Sequence, residues 1–241
     1  MALRGIGRTL PGVVRLVVLR GTGGAFSIDP ALPPGGPPRD AGARARGGDI
    51  PPGEAAERHV AAAQEAVSWL SRPDLISVAA VSGPASGPGT QLALACDLRV
   101  IADDASFALP EVGLGLVPYL GGTGTLVAAV GYARALEICL TGRVVDASEA
   151  VGLGLAQLRV PADQLADAVS DLIAAVLAAP RAATTELKAL LRPAPTAAPV
   201  GIAPGVTGPG VIGPGGTASR SATLVAEREA TRRCASAQEV E

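Results

Sequence analysis

The sequence has few of the side chains that usually build metal or redox sites. Aromatic residues make up 2% of its 241 residues, and there are one histidine and three cysteines. Cys96, Cys139 and Cys234 are odd in number and lie far apart, which favours neither a disulfide framework nor a C-x-x-C metal site. We therefore predict no bound metal and a protein that works in the reducing cytoplasm.

Dense basic runs and long apolar runs are also missing. The net charge is −2 and the pI is about 5.5, so nothing indicates binding to nucleic acid. No segment reaches the roughly 20 apolar residues that span a bilayer, and the N-terminus MALRGIGRTL lacks the pattern of a signal peptide. We predict no nucleic-acid partner and no membrane. A small-molecule substrate or a protein partner is favoured.

Short β-branched runs come first along the chain, and helical patterns follow. Strands are predicted at residues 13–20, 76–83 and 97–104, where the apolar runs are short. Helices are predicted at about residues 54–70, 121–131, 132–142, 146–154, 163–179 and 181–191, several of them ending in glycine. Strands followed by helices are typical of an α+β protein.

Two segments rich in Pro and Gly interrupt this pattern. Residues 30–53 are expected to form an extended loop inside a domain that spans residues 1–191. Residues 192–217 are expected to form a flexible linker. Residues 218–241, which are rich in Glu and Arg, are expected to form a C-terminal helix.

Several motifs follow one another in a recognisable order: VVRLVVLRGTGGAFS, SGPASGPGTQLALACDLRV, ALPEVGLGLVP, GGT and LTGRVVDASEAVGLGLA. In this order they resemble the crotonase family, the enoyl-CoA hydratases and isomerases, over roughly residues 13–191. The resemblance implies a spiral of ββα units with a helical C-terminal part. It also implies an acyl-CoA thioester as ligand, with coenzyme A as part of the substrate and no separate cofactor, and a homotrimer or hexamer.

One predicted binding loop follows the first strand. In the family, two backbone N–H groups bind the thioester oxygen and stabilise the charge that develops on it. The loop here is AFSIDP, which places Pro30 at the first donor position. If two residues are deleted there, Asp29 matches the family's Asp and the N–H of Ile28 can turn inward. The predicted substrate-binding residues of this loop are Phe26, Ile28, Asp29 and Pro30.

The second predicted donor lies in the run Gly87, Pro88, Gly89 at the start of a short helix. Pro88 falls on the donor position, and proline has no N–H. Losing one such donor costs on the order of 3 kcal/mol of transition-state stabilisation. On an ungapped alignment, the family's usual route through an enolate is therefore impaired.

The resemblance assigns the acid–base positions to Gln91 and Glu111. A hydratase of the family uses two glutamates, but Gln91 can only orient a water and cannot take its proton. Glu111 remains as the proton carrier, as in the family's single-glutamate isomerases. Tyr119 and Leu120, in the turn before GGT, are expected to line the pocket, and no acid stands there.

Three hypotheses about function stay open. The chain is an enzyme that moves a proton with Glu111 in an isomerase-type reaction, an acyl-CoA-binding module without chemistry, or a partner subunit in a hetero-assembly with an active relative. The segment before residue 13 is shorter than the family's. Either the coenzyme A site is incomplete or the start codon is misassigned.

Overall fold

Two β-sheets and eight α-helices build the part of the chain that the computed structural model describes, which is residues 2–27, 54–191, 224–225 and 228–229. The strands are β1 (Leu16–Arg20), β2 (Ile76–Val81), β3 (Pro84–Ser86), β4 (Leu98–Ala102), β5 (Ser106–Ala108), β6 (Val145–Asp146) and β7 (Leu158–Val160). The helices are α1 (Ala2–Thr9), α2 (Glu54–Ser68), α3 (Pro88–Ala95), α4 (Gly122–Val130), α5 (Tyr132–Thr141), α6 (Ala147–Gly152), α7 (Leu165–Ala178) and α8 (Arg181–Leu191).

Between β2 and β5 the chain alternates between the two sheets. The first sheet is parallel, in the order β1-β2-β4-β7, with Val78 opposite Leu98 and Val100 opposite Leu158. The second has the order β3-β5-β6, and only its β5–β6 pair is antiparallel. Strands β2 and β3 are followed by α3, and strands β4 and β5 by α4 and α5. This is the expected spiral of ββα units, and the α+β class is confirmed.

Strand β2 is buried on both faces because both faces are apolar. Val78 and Ala80 pack towards α7, where Val169 belongs to the same cluster. Ala79 and Val81 alternate with them and belong to the larger core. A parallel strand enclosed by two layers needs this continuous apolar sequence. The larger core holds the site-bearing elements in place, and its largest fully buried side chains include Phe107, Leu70, Leu94, Ile101, Leu109 and Leu126.

The structure differs from the sequence prediction at several element ends. Strand β1 begins at Leu16 rather than residue 13, because the N–H of Val14 closes a turn by donating to the carbonyl oxygen of Pro11 at 3.0 Å. The helix predicted at residues 54–70 ends at Ser68 and continues as the 3₁₀ turn Trp69–Ser71. Helix α1 and strands β3, β5, β6 and β7 were not predicted.

Parts of the predicted organisation lie outside the described residues. These are the loop 30–53, the linker 192–217 and most of the C-terminal helix 218–241; four residues of the latter, Leu224, Val225, Arg228 and Glu229, are described and are helical. Among the described helices, none combines the length and the apolar character that crossing a membrane requires.

Candidate active site

Pro88 is the first residue of α3, and this position explains how proline fits a glycine-rich turn. The N–H of a first helical residue has no acceptor within the helix, and the φ angle fixed by proline suits the position. Gly87 precedes it with a φ of 51°, a conformation that glycine adopts readily. The N–H of Gly87 donates to the carbonyl oxygen of Ala108 at 3.0 Å, so this amide already has an acceptor within the fold.

The loop after β1 packs directly against the start of α3. A Cβ on Gly89 would lie 2.6 Å from both the Cβ and the carbonyl oxygen of Ser27, so the close approach requires glycine. The N–H groups of Phe26 and Ser27 both donate to the carbonyl oxygen of Pro84, at 3.1 and 3.3 Å. The side chain of Phe26 lies in the larger core. The structure therefore brings the two predicted donor loops together.

The remaining residues predicted in the first loop are Ile28, Asp29 and Pro30, which lie outside the described residues. Their binding roles stay predictions.

Gln91 and Glu111 form a buried hydrogen-bonded pair. Gln91 Nε2 donates to Glu111 Oε1 at 2.8 Å, and the two residues are 0% and 2% exposed. Gln91 lies one turn into α3, and Glu111 opens the 3₁₀ turn Glu111–Leu114 after β5. Because a carboxylate oxygen can only accept, this hydrogen bond joins α3 to the turn that follows β5.

The turn before α4 also contacts the pair formed by Gln91 and Glu111. The N–H of Leu120 donates to Gln91 Oε1 at 2.7 Å. Since a backbone N–H can only donate, it fixes the amide of Gln91 with its oxygen towards Leu120 and its nitrogen towards Glu111. A Cβ on Gly122 would lie 2.9 Å from Gln91 Cγ, so the GGT segment also packs on this side chain. Leu120 thus contacts the candidate site through its backbone.

Cys139 on α5 lies close enough to Glu111 for the charge of that carboxylate to affect the pKa of the thiol. Burial raises the pKa of the Cys139 thiol to about 11, and the negative charge of Glu111 adds to the rise. The thiol is therefore protonated at neutral pH. Within the described ranges, no group of three or more His, Cys, Asp or Glu side chains is placed to hold a metal ion.

Gln64 was not predicted as a site residue. It is 3% exposed on α2, and its Nε2 donates to the carbonyl oxygen of Tyr119 at 2.9 Å. The signal in the sequence was a glutamine on the buried face of α2, four residues after Val60 and three before Val67. Tyr119 was predicted to line the pocket, and the structure shows its carbonyl held by Gln64.

A spiral of ββα units whose glycine-rich helix start meets a buried acid is the architecture of crotonase-type proteins. The sequence model described as "Enoyl-CoA hydratase/isomerase" matches residues 39–199. The chain belongs to this family.

Curated relatives share part of their length with this chain. A "Probable enoyl-CoA hydratase" of Mycobacterium tuberculosis is 47% identical over 89 residues, which are 37% of this chain and 35% of that protein. An "Enoyl-CoA isomerase/hydratase" of Penicillium crustosum is 48% identical over 96 residues, which are 40% of this chain and 11% of that protein. The matched stretch spans about a third of the first relative and less of the second.

Solved structures are similar over more of the chain. A protein of Thermobifida fusca assigned as an enoyl-CoA hydratase and solved in complex with CoA is 43% identical, with a TM-score of 0.67, covering 78% of this chain and 72% of that chain. A monofunctional enoyl CoA isomerase from M. smegmatis is 30% identical, with a TM-score of 0.60, covering 79% of this chain and 77% of that chain.

Proposed function

We propose that this protein binds an acyl-CoA thioester and catalyses an isomerase-type proton transfer with Glu111, without hydrating its substrate. The buried hydrogen bond from Gln91 Nε2 to Glu111 Oε1 carries the proposal. It pairs one carboxylate with a neutral amide where a hydratase of the family has two carboxylates. One residue that can take and return a proton is sufficient for moving a double bond.

The ligand class is supported by the relatives. The T. fusca protein was solved with CoA and, in a second structure that is 44% identical with a TM-score of 0.67, with acetoacetyl-CoA. Helix α3, which bears Gln91, and the turns that bear Glu111 and Leu120 converge here in a chain with the same fold. We infer that the thioester lies beside them.

The proton transfer requires one base and no added reactant. The Glu111 carboxylate takes a proton from C2 of a 3-enoyl thioester, and the electron pair delocalises over the dienolate. The protonated Glu111 then returns the proton to C4, so that the double bond moves to C2–C3. The hydrogen bond from Gln91 holds the carboxylate in place before the transfer.

Hydration requires two acid–base groups, whereas isomerisation requires one. Adding water across a double bond needs a group that takes a proton from the water and a group that supplies one to carbon. Gln91 is neutral and its amide does not titrate, so it cannot fill the first role. Its oxygen also already accepts the N–H of Leu120.

Pro88 favours a second candidate, an acyl-CoA-binding module without turnover. Its position at the start of α3 removes the N–H that the family places against the thioester oxygen. A partner subunit that assembles with an active relative is the third possibility.

Substrate turnover and calorimetry separate these functions. We expect conversion of a 3-enoyl-CoA to the conjugated 2-enoyl-CoA, and no hydration of crotonyl-CoA above background. Binding of CoA and a saturated acyl-CoA without turnover of either enoyl substrate would favour the binding module. Failure to bind any of them would favour the partner subunit.

We also propose assembly into a homotrimer or hexamer, with a hetero-assembly as the alternative. Tyr132, Leu136 and Leu140 follow one another at four-residue intervals on α5 and are 64%, 41% and 60% exposed. Residues at this spacing share one face of a helix. An apolar stripe on a surface helix supports contact with another chain.

A further inference from the structure

Gln64 is a buried polar residue whose side chain bonds to residues outside its own helix. Burying an amide without hydrogen bonds costs free energy, so its partners indicate what holds it there. The side-chain nitrogen donates to the carbonyl oxygen of Tyr119 at 2.9 Å and lies 3.5 Å from that of Leu224. The side-chain oxygen accepts from Arg228 Nε at 2.5 Å.

The contact with Tyr119 leads directly to the candidate site. Leu120 follows Tyr119, and its N–H donates to Gln91 Oε1 at 2.7 Å. Gln91 in turn donates to Glu111 Oε1 at 2.8 Å. Gln64 on α2 is therefore joined to the Glu111 carboxylate by two side-chain amides and one backbone turn.

The orientation of Gln91 depends on that turn. If the turn moves, the Leu120 N–H leaves Gln91 Oε1, and the amide loses one of the two hydrogen bonds that orient it. The contact with Glu111 is then less firmly held. The carbonyl of Tyr119 and the N–H of Leu120 belong to the same planar peptide unit, so holding the carbonyl also holds the donor.

We propose that Gln64 is a positioning residue that fixes the turn at Tyr119 and Leu120 and thereby sets the Gln91–Glu111 pair. The catalytic consequence rests on the proposed function, whereas the fixing of the turn does not. Gln64 acts through its bond to Tyr119. Its contact with Arg228 joins α2 to the C-terminal segment and is not part of the positioning.

Three variants separate the two contacts. Gln64→Met keeps the volume of the side chain and removes its contacts with Tyr119, Leu224 and Arg228, whereas Arg228→Met removes only the bond from Arg228. Gln164→Met makes the same change at an exposed glutamine and serves as the control. If Gln64→Met does not fold, Gln64→Asn keeps the amide and shortens its reach by one methylene.

Hydrogen–deuterium exchange of peptides covering residues 118–122 tests the positioning without any substrate. We expect roughly tenfold faster exchange in the Gln64 variants, the order of magnitude of one buried hydrogen bond. Arg228→Met and Gln164→Met should exchange like the unmodified protein. Unchanged exchange in the Gln64 variants, or equally fast exchange in Arg228→Met, would overturn the proposal.

Kinetics with a 3-enoyl-CoA test the consequence for catalysis. We expect kcat to fall roughly tenfold in the Gln64 variants while KM stays nearly constant, because orientation and not binding is lost. Faster exchange with an unchanged kcat would overturn the positioning role. If the unmodified protein turns over no 3-enoyl-CoA, the proposed function fails, and the exchange experiment still decides whether Gln64 fixes the turn.

Discussion

Lys188 Nζ lies 2.7 Å from Asp97 Oδ2 and joins the last described long helix, α8, to the residue before β4. The same ammonium donates to the carbonyl oxygens of Leu70 and Leu75 at 3.2 and 2.6 Å. Asp97 Oδ2 also accepts the N–H of Ser77 at 2.8 Å. Because the Lys188 side chain is 7% exposed, solvent screens this pair little.

Removing this lysine should destabilise the fold. Lys188→Met leaves Asp97 and two carbonyl oxygens without the ammonium, and we expect the free energy of unfolding to fall by about 3 kcal/mol. Urea unfolding followed by Trp69 fluorescence at fixed protein concentration measures it, since this is the single tryptophan. Arg134→Met, at a half-exposed ion pair, is the control and should cost under about 1 kcal/mol. Equal effects of the two changes would contradict the expectation.

Glu111→Gln should abolish isomerisation of a 3-enoyl-CoA. The change removes the proton carrier and keeps the shape of the side chain, so the affinity for CoA should stay nearly unchanged. Initial rates and isothermal titration measure the two effects separately. Glu137→Gln on the surface of α5 is the matched control. Activity that survives Glu111→Gln would show that another residue carries the proton. Asp29 would be the next residue to test.

Cys139 should report on the charge of Glu111. Burial and that charge raise the pKa of the thiol to about 11, so alkylation by iodoacetamide should be slow at pH 8. Removing the charge with Glu111→Gln favours the thiolate, and the pH dependence of alkylation should then shift to lower pH. Peptide mass spectrometry separates Cys139 from the other two cysteines. No shift would show that the two side chains do not interact, and a shift towards higher pH would show that the charge of Glu111 does not raise the pKa of the thiol.

Restoring hydration should need more than one change. Pro88→Gly returns an N–H and Gln91→Glu returns a carboxylate, so either change alone should recover little hydration of crotonyl-CoA. Each recovered N–H should be worth roughly a hundredfold in rate, and Pro30→Gly supplies the other donor on the ungapped alignment. Robust hydration by the unmodified protein would falsify this reasoning.

The exposed stripe on α5 should be an assembly contact. We expect a trimer or hexamer in light scattering at micromolar concentration, and a smaller species when Leu136 and Leu140 are both changed to Glu. Val13→Glu is the control, since Val13 is 80% exposed and lies outside α5. A monomer in the unmodified protein would contradict the proposed assembly.

Long apolar patterns in the sequence predicted the scaffold well, and short elements were missed. Helix α8 was predicted with its observed ends. Strand β6 has two residues and β3 has three, which are too few to show the two-residue alternation of apolar and polar side chains that indicates a strand. Strand β3 also begins with Pro84, a residue that argues against a strand. Helix α1 contains Gly5 and Gly7, which weaken any local helix signal. The residues that α1 contacts are distant in the sequence; Glu65, for example, forms an ion pair with Arg4.

The candidate site was predicted in its residues but not in its contacts. The motif order assigned Gln91 and Glu111 to one site, and the structure brings them to 2.8 Å. No local pattern shows that Leu120 acts through its N–H, because that donor depends on how the turn before α4 packs. The role of Gln64 is likewise a property of three elements that meet only in the folded chain.

A proline at the first position of α3 also acts on the unfolded chain. By restricting the backbone before folding, it lowers the conformational entropy that is lost when the helix start forms, and this is commonly worth about 0.4–1 kcal/mol. Glycine at the same position has the opposite effect. A substitution that restores an N–H at position 88 therefore lowers the free energy of unfolding. Only a protein that is stable enough to tolerate this loss can accept the substitution.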